Sequence, residues 1–182
     1  MVNIYKQKLT KLQQEILRVL FVYTGTPLNA RKISQLLEVS HPAISKALPL
    51  MKKEGLMKME KDKDSGRLSI ELNSDSHKVM QLKRVDNLKL IYESGLGDFL
   101  EKEFAGAVII LFGSYSRGED TIKSDIDIAV IGRKDKPFDV EKFELILKRE
   151  ININFYDSFD GIHKNLKENL FNGIVLYGGV KL

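Results

Sequence analysis

The chain has 182 residues, 43% of them apolar, a formal net charge of +4 and no cysteine. That length suits one large domain or two small ones with ordinary cores, and the missing thiols exclude disulfides, thiolate metal sites and a cysteine nucleophile. Residues 1 to 90 hold 17 Lys and Arg against 9 Asp and Glu, and residues 91 to 182 hold 12 against 16, so the first half suits a polyanion and the second suits cations or a metal-bound nucleotide.

The N-terminal "MVNIYKQKLTKLQQEIL" lacks a signal-peptide core, and no apolar run approaches the ~20 residues that span a bilayer. A cytoplasmic protein without membrane contact is expected. Leu9, Leu12, Ile16, Leu17, Leu20 and Phe21 recur at three- and four-residue spacings, which predicts a core helix ending near Gly25. Asn29 is placed to cap "ARKISQLLE", and Ser40 to cap "HPAISKALPLMKKEG", where Pro42 falls in the first turn and Pro49 interrupts. "LMKME" and "RLSIEL" alternate apolar and polar residues around "KDKDSG", as a hairpin does.

Helix, helix, tight turn, helix and basic-tipped hairpin, over residues 8 to 73, resembles the winged helix-turn-helix family of transcription regulators. The resemblance implies that the second helix of the motif enters the major groove of double-stranded DNA and that the wing touches the backbone or minor groove. His41, Ser45 and Lys46 would then face the bases and phosphates, with Lys61, Lys63 and Arg67 on the wing. A protein-docking or dimerisation module is the alternative, and His41 also reads as a solvated first-turn residue.

"SDSHKVMQLKRVDNLKLIYESG" has Ser76 as a plausible cap, followed by Val79, Leu82, Val85, Asn87, Leu88 and Ile91. This predicts an amphipathic helix of about five turns, linking two domains or pairing with its copy in a homodimer. The chain thus divides into residues 1–74, a linker or dimerisation helix over 75–95, and a second domain over 96–182.

In the second half, "AVIILF" reads as a buried strand running into Gly113 and Ser114, and "SYSRGE" as a short helix start. Glycine lets the chain turn closely there, while the Ser114 hydroxyl and nearby N–H groups suit phosphate oxygens. In "SDIDIAVIG" the strand period turns Asp125 and Asp127 to one face. Two such carboxylates repel unless cations sit between them, as Mg²⁺ or Mn²⁺ with a triphosphate would. A solvated or capping pair at a strand end is the plainer reading of the aspartates alone.

With the Gly-Ser turn, "GSYSRGEDTIKSDIDIAV" resembles the signature of the DNA polymerase beta-like nucleotidyltransferases, most closely their minimal members. The likeness covers residues 96 to 182, including "DVEKFELILKRE", "ININFY", "IHKNLKENLFNG" and "IVLYG". It implies an α+β fold with a small mixed sheet, and transfer of a nucleoside monophosphate from an NTP, with ATP the expected one, to a hydroxyl. Gly113, Ser114 and Arg117 would meet the nucleotide, although Arg117 also reads as a salt-bridge residue. Asp125 and Asp127 would be catalytic and hold the metals.

The family adds a third carboxylate from a neighbouring strand. Here the corresponding position is Asn152, with Glu150 as a substitute if the register shifts by two. Small members of the family act as antitoxins, which implies a toxin-like protein partner. The alternatives are a transcription regulator whose degenerate transferase domain senses a nucleotide or protein, and a dimeric scaffold without nucleotide.

Overall fold

In the computed structural model, which describes residues 9–61 and 68–180, the chain divides into two units, Met1–Val79 and Met80–Leu182. In the first, Thr10 caps helix α1 (Lys11–Val22) through a capping box with Gln13. The Thr10 hydroxyl accepts from the Gln13 N–H at 3.3 Å, and the Gln13 side chain accepts in return at 3.0 Å, so two N–H groups at the helix start are satisfied. Asn29 caps α2 (Ala30–Leu37), accepting from the Lys32 N–H at 2.8 Å, and Ser40 caps α3 (His41–Lys53). Glu38, at φ 55°, makes the tight connection between them.

Helix α3 runs through Pro49 to Lys53. Pro49 is exposed, so water can satisfy the carbonyl that its ring leaves without a helical partner. Strands β1 (Met57–Lys61) and β2 (Leu68–Leu72) pair antiparallel from Met57 opposite Leu72 to Lys61 opposite Leu68. Leu28 adds a short bridge to Ile70, with N···O distances of 2.9 and 2.7 Å. Ile16, Leu20, Ile33, Ile44, Met51 and Ile70 are at most 2% exposed and form the core. The unit therefore has the winged helix-turn-helix arrangement. Of the expected wing residues, Lys61 ends β1, whereas Lys63 and Arg67 lie outside the described residues.

The boundary between the units falls inside α4 (His77–Glu93), after Val79. Of the face expected to be buried on this helix, Val79, Asn87 and Ile91 are buried, but its middle needs correction. Leu82 and Val85 are 40% and 66% exposed, while Lys83 and Asn87 are 0% and 4% exposed. Asp120 draws these two polar side chains inward, a contact that hydropathy spacing cannot reveal.

A further helix absent from the sequence reading, α5 (Leu96–Glu103), follows Gly95 at φ 78°. Gly97, which with Gly95 reads as marking the end of the linker, is a packing residue inside this helix, because a Cβ there would lie 3.0 Å from the Tyr92 ring. The sheet comprises β3 (Val108–Phe112), β4 (Ile126–Ile131), β5 (Ile151–Tyr156) and β6 (Ile174–Tyr177), in the order β5-β4-β3-β6. Only β4 and β5 run parallel, so the sheet is mixed.

Between these strands lie α6 (Gly113–Arg117), α7 (Glu141–Leu147) and α8 (Lys164–Phe171). One face of the sheet, with Ile109, Leu111, Ile128 and Val130, packs with Leu96, Leu100 and Phe143. The other, with Ile110, Phe112, Ala129 and Ile131, packs with Ile162 and Leu170. No helix among the described residues is long and apolar enough to cross a membrane.

Candidate active site

Asp127 sits where three strands meet in register, opposite Phe112 on β3 and Asn152 on β5. Asp125 precedes β4 by one residue, so the strand period turns both carboxylates to the α8 side of the sheet. Phe112 leads into Gly113 at φ 73°, and a side chain at Gly113 would collide with the Asp127 carboxylate. Glycine is thus required twice, by its backbone conformation and by the proximity of Asp127. The Gly-Ser turn is also anchored from below. Ser116 Oγ donates to the Gly113 carbonyl at 2.9 Å, and Asn87 Nδ2 donates to the Tyr115 carbonyl at 2.9 Å.

Burial pushes the Asp127 carboxyl above its usual range, the charge of Asp125 adds to the effect, and Asn152 partly offsets it. Asn152 donates from Nδ2 to Asp125 Oδ2 at 3.1 Å. The position in register with Asp127 is therefore filled by a neutral amide that turns a donor, not a lone pair, toward the carboxylates. Glu150 is exposed and lies one step before β5, opposite Asp125, where its carbonyl accepts from the Ile126 N–H at 2.8 Å. With Lys123, Glu141, Leu145 and Arg149, Glu150 and Asp125 line an open groove of about 640 Å³.

Ser114 is half-buried at the turn. Arg117, at the end of α6, donates from Nε to Glu119 at 2.7 Å, which is the salt-bridge alternative. Among the described residues, no group of three or more His, Cys, Asp or Glu side chains is placed to hold a metal ion. The two carboxylates, joined by the Asn152 oxygen only if its amide turns over, fit a hard divalent cation that takes its remaining oxygen ligands from a bound phosphate chain.

The loop joining the two halves of the motif hangs from one buried carboxylate. Asp120 is 0% exposed. It meets Lys83 Nζ at 2.9 Å, Arg149 NH2 at 3.3 Å and Asn87 Nδ2 at 2.7 Å. Lys83 also donates to the Asp120 carbonyl. Burial pushes the Lys83 ammonium below its usual range, opposed by Asp120 and reinforced by Arg149. One residue thus ties α4, the loop before Asp125 and the entry to β5. Sequence inspection missed this network, and its only trace was a Lys and an Asn four residues apart on one helix face.

In the first unit, His41, Ser45 and Lys46 are exposed on α3, and Ser45 Oγ lies 3.5 Å from His41 Nδ1. Arg31 and Lys32, at the start of α2, are exposed as well.

Residues 94–177 match the family model of the nucleotidyltransferase domain. The second unit therefore carries a nucleotidyltransferase domain, joined to a winged helix-turn-helix unit. A Methanocaldococcus jannaschii protein provisionally named a protein adenylyltransferase is 41% identical over 58 residues, which cover 30% of this chain and 58% of that protein. The matched segment is thus less than two thirds of that relative's length.

A Lactococcus lactis ZitR variant is 20% identical, with 57% of this chain and 67% of that one covered, at a TM-score of 0.43. The adhesin competence repressor of Streptococcus pyogenes is 21% identical, with 55% and 71% covered, at a TM-score of 0.40. These two likenesses are too slight to carry an argument.

Proposed function

We propose that the second unit binds an NTP with a divalent metal and transfers its nucleoside monophosphate to a protein hydroxyl, while the first unit holds the enzyme on DNA. The observation that carries the proposal is the packing of Gly113 directly against Asp127, with Asp125 on the same face. In this reading the Gly113 backbone and the Ser114 hydroxyl cradle phosphate oxygens. Asp125 and Asp127, with the Asn152 oxygen if its amide turns over, hold Mg²⁺ or Mn²⁺. When bound, the metal neutralises charge on the phosphates and activates them toward attack.

The acceptor oxygen bonds to the α-phosphorus, the bond to the bridging oxygen breaks, and pyrophosphate leaves. The hydroxyl proton passes to solvent by way of the Asp125 and Asp127 pair. With Asn152 in place of a third carboxylate, the rate should fall ~10² to 10⁴ below that of a site with all three. The protein acceptor is supported by the name of the M. jannaschii relative. A toxin-like partner, a cytoplasmic location and a homodimer on DNA complete the proposal, and His41, Ser45, Lys46 and Lys61 would meet the duplex.

A second reading, a regulator that senses a nucleotide without transferring it, is favoured by the hydrogen bond from Asn152 to Asp125. Incubation with ATP labelled in its α-phosphate, Mn²⁺ and candidate proteins separates the two. Covalent label on a protein supports the transferase. Tight ATP binding with no label on any acceptor leaves the sensor.

A further inference from the structure

Strand β5 lies at the edge of the sheet, and its outer row of backbone groups is open beyond the Ile151 N–H. Ile126 N–H donates to the Glu150 carbonyl and Gly132 N–H to the Tyr156 carbonyl, both at 2.8 Å. The even-numbered residues of this segment therefore turn their backbone polar groups toward β4, and Ile151, Ile153 and Phe155 turn theirs outward. Glu144 Oε1 accepts from the Ile151 N–H at 2.9 Å. Beyond it, the outward N–H and C=O groups of Ile153 and Phe155 have no hydrogen-bond partner among the described residues.

Edges are commonly blocked by charges, proline, bulges or shortness. The opposite edge, β6, has four residues and an irregular register with β3. "ININFY" has six residues and carries no charge, proline or glycine.

The position of this edge matches the chemistry. Gly113 and Ser114 follow β3, Asp127 is on β4, and Asn152 is on β5, on the far side of the carboxylates from the phosphate cradle. In-line displacement brings the attacking oxygen from the side opposite the departing pyrophosphate, which here is the β5 side. A strand added there would lie ~4.8 Å from β5, with alternate side chains on the face of Asn152 and Asp127. Exposed Glu150 and Asp157 flank the neutral edge, and they favour a basic segment.

We propose that an extended segment of the acceptor protein, basic around a hydroxyl-bearing residue, pairs with the open edge of β5 as an additional strand. Main-chain hydrogen bonds would supply affinity, and alternation would place the hydroxyl toward Asp125 and Asp127. The proposal rests on the transferase reading above for the role of that segment.

The test is amide hydrogen exchange on the full chain, with and without saturating short synthetic peptides, each carrying one Tyr, Ser or Thr between Lys or Arg residues. Exchange at Ile153 and Phe155 should slow about tenfold or more, and backbone N-methylation of the peptides should abolish the effect. ATP binding with Mg²⁺, followed separately by calorimetry, tests the nucleotide site. Its failure would overturn that reading while leaving the edge result to stand or fall alone. Unchanged exchange, or protection indifferent to N-methylation, overturns strand addition. Protection without peptide that grows with protein concentration assigns the edge to a second copy and also overturns it.

Discussion

Asn152 Nδ2 lies 3.1 Å from Asp125 Oδ2 and in register beside Asp127, so a neutral donor occupies the place from which a third carboxylate would face the pair. Asn152→Asp replaces that donor with a charge. Without metal, three neighbouring carboxylates should lower the melting temperature. With Mn²⁺ the loss should be recovered, and transfer should rise by ~10² or more. Calorimetric metal titration and thermal melts of both proteins check this. Unchanged metal affinity would mean that Asn152 does not stand at the third-ligand position.

Gly113→Ala should cost more than backbone strain alone. Gly95 has a similar φ of 78° but no atom within 4 Å of its would-be Cβ, whereas Gly113 faces Asp127. Gly95→Ala should lose about 1–3 kcal/mol from left-handed strain, and Gly113→Ala should lose that plus the cost of displacing Asp127. Denaturant unfolding of the two variants gives the difference. Equal losses would place Asp127 away from the turn.

Asp120→Ala leaves Lys83 and Arg149 buried without their shared carboxylate and should destabilise the fold by ~3–5 kcal/mol. The same network predicts a pH dependence. Burial holds the Lys83 pKa below the ordinary lysine value of 10.5. Between that lowered value and 10.5, the unfolded chain keeps a proton that the folded chain has released. Stability from this group therefore rises with pH through that window. Lys83→Met should flatten the slope, and unfolding measured across alkaline pH checks it.

DNA binding by the first unit should weaken steeply as salt rises. Lys46→Ala should reduce the slope of log K against log salt by about 0.9 if its ammonium neutralises one phosphate. Arg31, exposed at the start of α2, should behave in the same way. Fluorescence anisotropy with a duplex at several salt concentrations measures both. A salt-insensitive signal would remove DNA from the account.

Local signals carried much of the fold. The caps Asn29 and Ser40, the hairpin alternation and the run "AVIILF" specify their elements within a few residues, and all formed as those signals dictate. The carboxylate pair and its glycine were legible for the same reason, since Asp125 and Asp127 lie two residues apart at the start of β4 and Gly113 directly follows β3. Asn152 required an estimate of which strand pairs with β4, and the parallel register places it beside Asp127.

What escaped was long-range. Lys83, Asp120 and Arg149 are separated by tens of residues and meet only after folding, so each reads as a surface charge in isolation. Leu82 and Val85 followed the helical period yet face outward, because a buried carboxylate outweighs apolar spacing in orienting α4. The helix α5 was hidden because Gly97 packs against Tyr92 instead of ending a segment.

In the proposed function, Gly113, Asp125 and Asp127 form a site for a metal-bound nucleotide. Isothermal calorimetry of ATP with Mg²⁺, using the full chain and its Asp125→Asn and Asp127→Asn variants, tests it most directly. Binding should be saturable, require the metal, and be lost in both variants while their melting temperatures stay near that of the parent. Binding that survives both substitutions, or no binding to the parent chain, would contradict it.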